Sequence, residues 1–169
     1  MATTDASTID PAIGDFRRSW EHARSMTYEF IDAVPGAQWH FSPHASCAPL
    51  AKQFRHMIWV SGCYNDGLKS GVLDLSKKKS FYAGGLDRDE LVAGLRATDA
   101  ELNQILHDVE VTGIAGRRIE FPFLGRAMRF GEFATVVIRH ESLHQGLWSL
   151  YARLGGFATP NSWQFNWDL

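Results

Sequence analysis

The stretch "VIRHESLHQGLWSLYARLGG", residues 137–156, decides most of the fold. Apolar residues recur in it every three or four positions, which is typical of an amphipathic helix. Gly155 and Gly156 predict where that helix ends, because glycine readily adopts the left-handed conformation that closes many helices. His140 and His144 lie four residues apart, so both imidazoles project from one face and can reach one point.

His140, Glu141 and His144 also match the H-E-x-x-H pattern of zinc proteases, in which the glutamate is the general base. In those enzymes a third ligand follows downstream of the pair. Here residues 145–169 contain no histidine and no glutamate. The match to the protease pattern is therefore incidental, and the informative part is the spacing of the two histidines.

The inward stripe of this last helix raises the question of what satisfies two buried imidazoles. We predict that the stripe consists of Phe133, Val136, Val137, His140, His144, Leu147 and Tyr151. Burying unpaired polar nitrogens is costly, and a metal ion solves the problem because neutral imidazole is a common ligand. Two histidines hydrogen-bonded at the edge of a core are the alternative.

A third ligand is needed, since catalytic sites of this type commonly use three protein ligands and leave one position open. His56 is the best candidate. It lies midway along a second predicted helix, on the same side as Trp59, Val60 and Cys63. Cys63 is either a soft ligand or a small buried apolar residue, and we favour the second interpretation.

Three helices are predicted upstream of the histidine pair. They cover residues 11–33, 49–71 and about 87–109, and the first two stop at Pro35 and Gly71. Asp87 is a good N-cap, and Glu90 three residues later would complete a capping box. A long connection joins the second helix to the third.

The stretch "RRIEFPFLGRAMRF", residues 117–130, alternates apolar and polar residues around Gly125. It predicts a short β-hairpin or an extended flap, with Pro122 at an edge or a bulge. The aromatic tail that follows the last helix is expected to pack back on the body. The fold class is therefore mainly all-α, a four-helix bundle with a short β-hairpin before the last helix. We expect a single domain over residues 1–169, with its core at about 14–160.

Composition excludes several classes of protein. Of the 169 residues, 45% are hydrophobic and 21% charged, and the net charge is −2. A nucleic-acid-binding domain is usually strongly basic, so no nucleic-acid partner is expected. No segment approaches the roughly 18 apolar residues that span a bilayer, and the N-terminus has no apolar signal core. Cys47 and Cys63 are the only cysteines, which favours a reducing cytoplasm.

The second helix, with "LAKQFRHMIWV" at residues 50–60, and the last helix together resemble the DinB/YfiT-like superfamily of four-helix-bundle metalloproteins. His56 matches the single histidine that this family carries on its second helix, and His140 and His144 match its H-x-x-x-H pair. The resemblance implies a divalent metal, nickel or zinc most often, held by three histidines. It also implies a homodimer, and in some relatives a low-molecular-weight thiol as co-substrate.

The leading hypothesis is a metal-dependent enzyme, a thiol S-transferase or a hydrolase, that activates a thiol or water against a small molecule. Glu141 would edge the site as a base or hydrogen-bond acceptor, or would face a neighbouring helix, a subunit or solvent. Gln145 would hydrogen-bond near the site or be a surface amide. One alternative is a bundle that binds a metal or small ligand without turnover. Another is a structural bundle without metal.

Overall fold

The computed structural model describes residues 11–112 and 118–163. Its helices are α1 (Pro11–Ala33), α2 (Leu50–Ser70), α3 (Arg88–Thr112) and α4 (Phe130–Gly155), and its strands are β1 (Arg118–Phe121) and β2 (Arg126–Arg129). The four helices and the antiparallel hairpin before the last one confirm the predicted fold class. The predicted domain also includes residues 1–10, 113–117 and 164–169, which lie outside the described residues.

The helix ends follow local backbone chemistry. Gly71 and Gly156 close α2 and α4 in the left-handed conformation, with φ of 80° and 71°. Asp87 caps α3, because its carboxylate accepts the N–H of Asp89 at 2.9 Å. The predicted capping box is wrong in its second half. Glu90 accepts the N–H of Gly85 at 2.8 Å, because the preceding turn folds over the first turn of the helix.

The hairpin lies across the end of the bundle. Its inner face buries Ile119 opposite Met128 in the antiparallel register. Pro122 begins a 3₁₀ turn that joins the strands, so the predicted edge or bulge position is wrong. Phe123, beside it in the turn, is 84% exposed. A strand of four residues leaves no room for the proline within it, and the turn accepts a residue that lacks an N–H.

The connection between α2 and α3 is packed rather than loose. It contains a 3₁₀ helix, Leu75–Phe81. The ring of Phe81 lies directly on Gly62 of α2, where a Cβ atom would collide with it. Leu73 donates its N–H to Glu120 of β1 at 2.8 Å, so this connection also anchors the hairpin. The missing side chain at Gly62 is what lets the segment lie against α2.

Aromatic side chains fill the half of the bundle far from the hairpin. Phe30 of α1 stacks between Trp148 and Trp163, with ring centroids 5.7 Å and 5.0 Å away. Trp163 is fully buried and donates its indole N–H to the carbonyl of Met26 at 3.2 Å. The part of the tail that is described therefore packs on the body, as the sequence predicted. None of the described helices is both long and apolar enough to cross a bilayer.

Removing the Trp163 ring tests how much the tail stabilises the bundle. We expect Trp163→Ala to lower the free energy of unfolding by about 3–5 kcal/mol, the usual cost of deleting a large buried aromatic ring. Urea denaturation measures this. Phe123→Ala, which removes a ring that is 84% exposed, is the matched control and should change stability little. A loss below about 1 kcal/mol for Trp163→Ala would show that the tail is dispensable.

Candidate metal centre

The face that helix α4 turns to the core includes Phe133, Val137 and Tyr151, as predicted, but it is rotated from the predicted stripe toward Glu141 and Gln145. Its buried residues are Phe130, Phe133, Val137, Glu141, Gln145, Trp148, Tyr151 and Ala152. His140 and His144 are half-buried at the border of this stripe. Leu147 is 40% exposed, so its assignment to the inward stripe is wrong. The helix is rotated relative to the prediction because Glu141 and Gln145 have hydrogen-bond partners on α1 in the interior.

The three predicted histidines come together between α2 and α4. The Nε2 atoms of His56 and His140 are 3.3 Å apart. One ring nitrogen from each of His56, His140 and His144 lies within 4.8 Å of the other two. Two nitrogens about 2.0–2.1 Å from a tetrahedral zinc are separated by about 3.3–3.4 Å. The separation of the first pair therefore already matches that of two ligands to one ion.

Burial keeps these imidazoles neutral. Burial, followed by the neighbouring imidazoles, lowers the pKa of His140 to about 3 and that of His144 to about 4. Burial and then Lys78 lower the pKa of His56. Neutral imidazole is the form that binds a metal, so at neutral pH no proton competes with the ion.

Aromatic rings fix the orientation of the imidazoles. The ring of Tyr64 meets His140 edge-on at 5.8 Å between centroids. Trp148 lies 5.8 Å from His144. The Nδ1 atom of His144 is buried and has no hydrogen-bond partner among the described residues. A buried polar nitrogen left without a partner is costly, and a hydrogen bond and coordination of a metal ion are the two ways to satisfy an imidazole nitrogen.

The donor set fits a divalent ion. Three neutral imidazoles suit zinc, nickel, iron and copper. Within the described residues, this trio is the one group of histidine, cysteine and carboxylate side chains close enough to hold an ion. Cys63 is outside it, and burial raises the pKa of its thiol to about 11. His22, His40, His44 and His107 are exposed elsewhere on the surface.

Comparison with known proteins identifies the family. A model of the DinB superfamily matches residues 19–147, a range that contains all three histidines. The chain belongs to the DinB superfamily. Among solved structures, a DinB-like protein, YjoA, from Bacillus subtilis matches with a TM-score of 0.62 at 16% identity, over 85% of this chain and 93% of that one. At this identity the likeness shows a shared fold alone. No curated protein matches.

In this DinB chain, Glu141 and Gln145 point into the interior toward α1. Glu141 accepts hydrogen bonds from the guanidinium of Arg24 at 3.1 Å and from the hydroxyl of Thr27. Gln145 donates to the carbonyl of Ala23 at 2.6 Å and to Thr27 at 3.1 Å. Of the orientations open from the sequence, the structure shows Glu141 facing a neighbouring helix.

Arg24 is the residue that sequence reasoning missed. Its side chain is 3% exposed, and it lies over the ring of Trp20 at 4.3 Å. Beyond Glu141, its guanidinium donates to Asp99 of α3 and to Ser61 of α2, each at 3.0 Å. One side chain on α1 thus reaches the other three helices of the DinB bundle. No local sequence signal links residues so far apart along the chain.

Metal titration tests the three-histidine cluster. We expect the wild-type protein to bind one Ni²⁺ or Zn²⁺ ion per chain by isothermal titration calorimetry. His56→Ala, His140→Ala and His144→Ala should each weaken binding by on the order of 100-fold or more, because even outer-sphere partners are worth 10–100-fold. His22→Ala, an exposed histidine on α1, is the control. Unchanged affinity in the triple variant would place the ion elsewhere.

A double-mutant cycle tests the interior ion pair. Arg24→Met leaves a buried carboxylate without its partner and should cost about 3–5 kcal/mol of folding free energy. Adding Glu141→Gln should restore at least about 1 kcal/mol, because the uncompensated charge is removed. Arg18→Met, on the same helix but 73% exposed, should have little effect. An equal loss of folding free energy in Arg24→Met and in Arg24→Met/Glu141→Gln would contradict the coupling.

Proposed function

We propose that this chain is a divalent-metal-dependent enzyme that activates a thiol for transfer to an electrophilic small molecule. The observation that carries the proposal is the convergence of three neutral imidazoles, His56, His140 and His144, with no carboxylate among the donors. Such a site leaves a bound divalent ion its full positive charge, which lowers the pKa of a thiol or water bound beside it.

The surroundings of Glu141 favour a thiol over water as nucleophile. Bringing a thiol from a pKa of about 8.5 to below 7 asks for far less stabilisation than bringing water down from 15.7. Where the ion does not by itself lower the pKa of bound water far enough, a general base often takes the proton from the water. Glu141 is the adjacent carboxylate, and Arg24 and Thr27 already occupy it. Hydrolysis is the second candidate function. In it the charge of the ion alone would activate the bound water.

Six side chains at the site have defined tasks in the proposed thiol reaction. The three histidines hold the ion, and Tyr64 and Trp148 keep two of the imidazoles in position. Glu141 is a positioning residue that acts through the α4 backbone next to His140. The thiol gives its proton to solvent, its sulfur forms a bond to an electrophilic carbon, and the leaving group departs with the electron pair of the broken bond.

The proposed resident ion is zinc or nickel, which the family resemblance implies and the donor set accepts, and the proposed co-substrate is a low-molecular-weight thiol. A reducing cytoplasm is the proposed location. Cys47 and Cys63 support this, because both are free thiols and neither forms a disulfide within the described residues.

Cobalt substitution followed by thiol addition tests the proposal. None of the three ligands contains sulfur, so a thiolate-to-cobalt charge-transfer band can come only from an added thiol or from Cys47 or Cys63. The double variant Cys47→Ala/Cys63→Ala separates the added thiol from the two protein thiols. We expect the band in wild type and in Cys47→Ala/Cys63→Ala, and its loss in His140→Ala.

Turnover is then measured with the zinc- or nickel-loaded protein, a panel of thiols and an activated alkyl or aryl halide. Thioether formation should require the metal and fall to the uncatalysed rate in the histidine variants. Ester or amide hydrolysis without thiol binding would favour the second candidate. Stoichiometric metal with neither reaction across the panel would identify a binding bundle and overturn the proposal.

A further inference from the structure

The side of α2 that borders the metal centre carries two cations and an aromatic ring. Between residues 50 and 60, the side chains that are not buried are Lys52, Arg55, His56 and Trp59. Residues three and four apart are neighbours on a helix surface, so these four form one strip. The metal ligand His56 therefore lies in a strip whose other members are a lysine, an arginine and an indole.

The connection between α2 and α3 brings a third cation to this strip. Trp59 donates its indole N–H to the carbonyl of Tyr82, the residue after the 3₁₀ helix, at 2.9 Å. That hydrogen bond holds the end of the connection against the strip. Within the 3₁₀ helix Lys78 is half-buried, whereas its neighbours Lys77 and Lys79 are exposed. Lys78 is thus the lysine of the three that lies against the body of the protein.

The ammonium of Lys78 lies within electrostatic reach of the metal centre. Burial lowers the pKa of His56, and the charge of Lys78 lowers it further. Burial raises the pKa of the Cys63 thiol, and Lys78 counteracts part of that rise. His56 and Cys63 are seven residues apart, so they lie two turns apart on one side of α2. Lys78 therefore lies over that side of the helix.

The three cations are not balanced by carboxylates of the protein. Within the described residues, Lys52, Arg55 and Lys78 form no ion pair. Asp74, four residues before Lys78, pairs instead with Lys77, with 3.8 Å between nitrogen and oxygen. A cleft lined by one sign of charge raises the local concentration of ligands of the opposite sign.

Arg55 also has unused hydrogen-bonding capacity. Its guanidinium carbon lies 4.6 Å from the centre of the Trp59 ring, a stacked position that orients the guanidinium plane. Its Nε atom is buried and has no hydrogen-bond partner among the described residues. A carboxylate beside the guanidinium would supply the missing acceptor, because the planar N–H donors of arginine match the two oxygens of that group.

We propose that Lys78 and Arg55 bind a carboxylate of the small molecule whose other end occupies the metal centre. The inference rests on the proposed function and adds the charge of the molecule bound there. The ring of Trp59, three residues along the helix from His56, supplies apolar surface for the carbon chain that joins the two ends. The cleft thus selects anionic ligands over neutral ones of the same shape.

Two thiols of equal length test the anion site. 3-Mercaptopropionate carries a carboxylate and 3-mercaptopropionamide a neutral amide, and titration of the thiolate band of the cobalt-loaded protein gives both dissociation constants. We expect wild type to bind the carboxylate at least about 10-fold more tightly, the usual effect of a hydrogen bond to a charged group. Lys78→Gln and Arg55→Gln should each reduce this preference, and Lys78→Arg should retain it. Lys79→Gln, at the exposed neighbouring lysine, is the matched control.

Equal binding of the two thiols by wild type would overturn the proposal. An undiminished preference in both Lys78→Gln and Arg55→Gln would also overturn it, because the carboxylate would then bind the ion itself. Circular dichroism verifies that the variants remain folded.

A thiol-free probe separates failure of the anion site from failure of the thiol reaction. If neither thiol produces a band, the thiol reaction is wrong, and propionate and propionamide then test the anion site alone. The cobalt ion should broaden the proton NMR lines of propionate more than those of propionamide in wild type. This difference should shrink in Lys78→Gln. Equal broadening of the two probes by wild type would overturn the anion site.

Discussion

The bundle is organised around one buried guanidinium. A cation as buried as Arg24 is tolerated only where carboxylates and other acceptors replace its water. Its partners Ser61, Asp99 and Glu141 lie on α2, α3 and α4, so the requirement sets the positions of three helices at once. The buried apolar residues of the core form two clusters, one that includes Phe16 and Val60 and another that includes Phe30 and Phe54.

The same requirement fixes the rotation of α4 about its own axis. Glu141 must face Arg24, and the neighbouring residue His140 then lies about 100° around the helix, at the border of the core. His144 follows one turn later on the same border. Farther around, a row of exposed leucines faces away from the bundle. One helix thus carries three stripes, and a single ion pair determines which direction each of them takes.

Local chemistry explains what the sequence predicted well. Glycines at helix ends, the alternation in the hairpin and the i, i+4 histidine pair all act over a few residues, and each is visible in the printed letters. His56 was found because a metal site needs a third donor. Leu147 was misassigned because periodicity shows that a stripe is apolar but not which side of it meets the core. The burial of Glu141 depends on Arg24, whose sequence separation of 117 residues hides the pairing.

The separation of these partners along the chain has a consequence for the order of folding. His56 and His140 are 84 residues apart, and α4 leaves the ribosome after α1, α2 and α3. Until α4 docks, Arg24 retains its hydration, and the metal cluster lacks His140 and His144. Closure of the bundle and assembly of the metal centre are therefore one event, and a high-affinity ion would be captured only by chains whose synthesis has passed α4. Metal occupancy would then record the completion of folding, in the way that metal binding and folding free energy are linked in small metalloproteins.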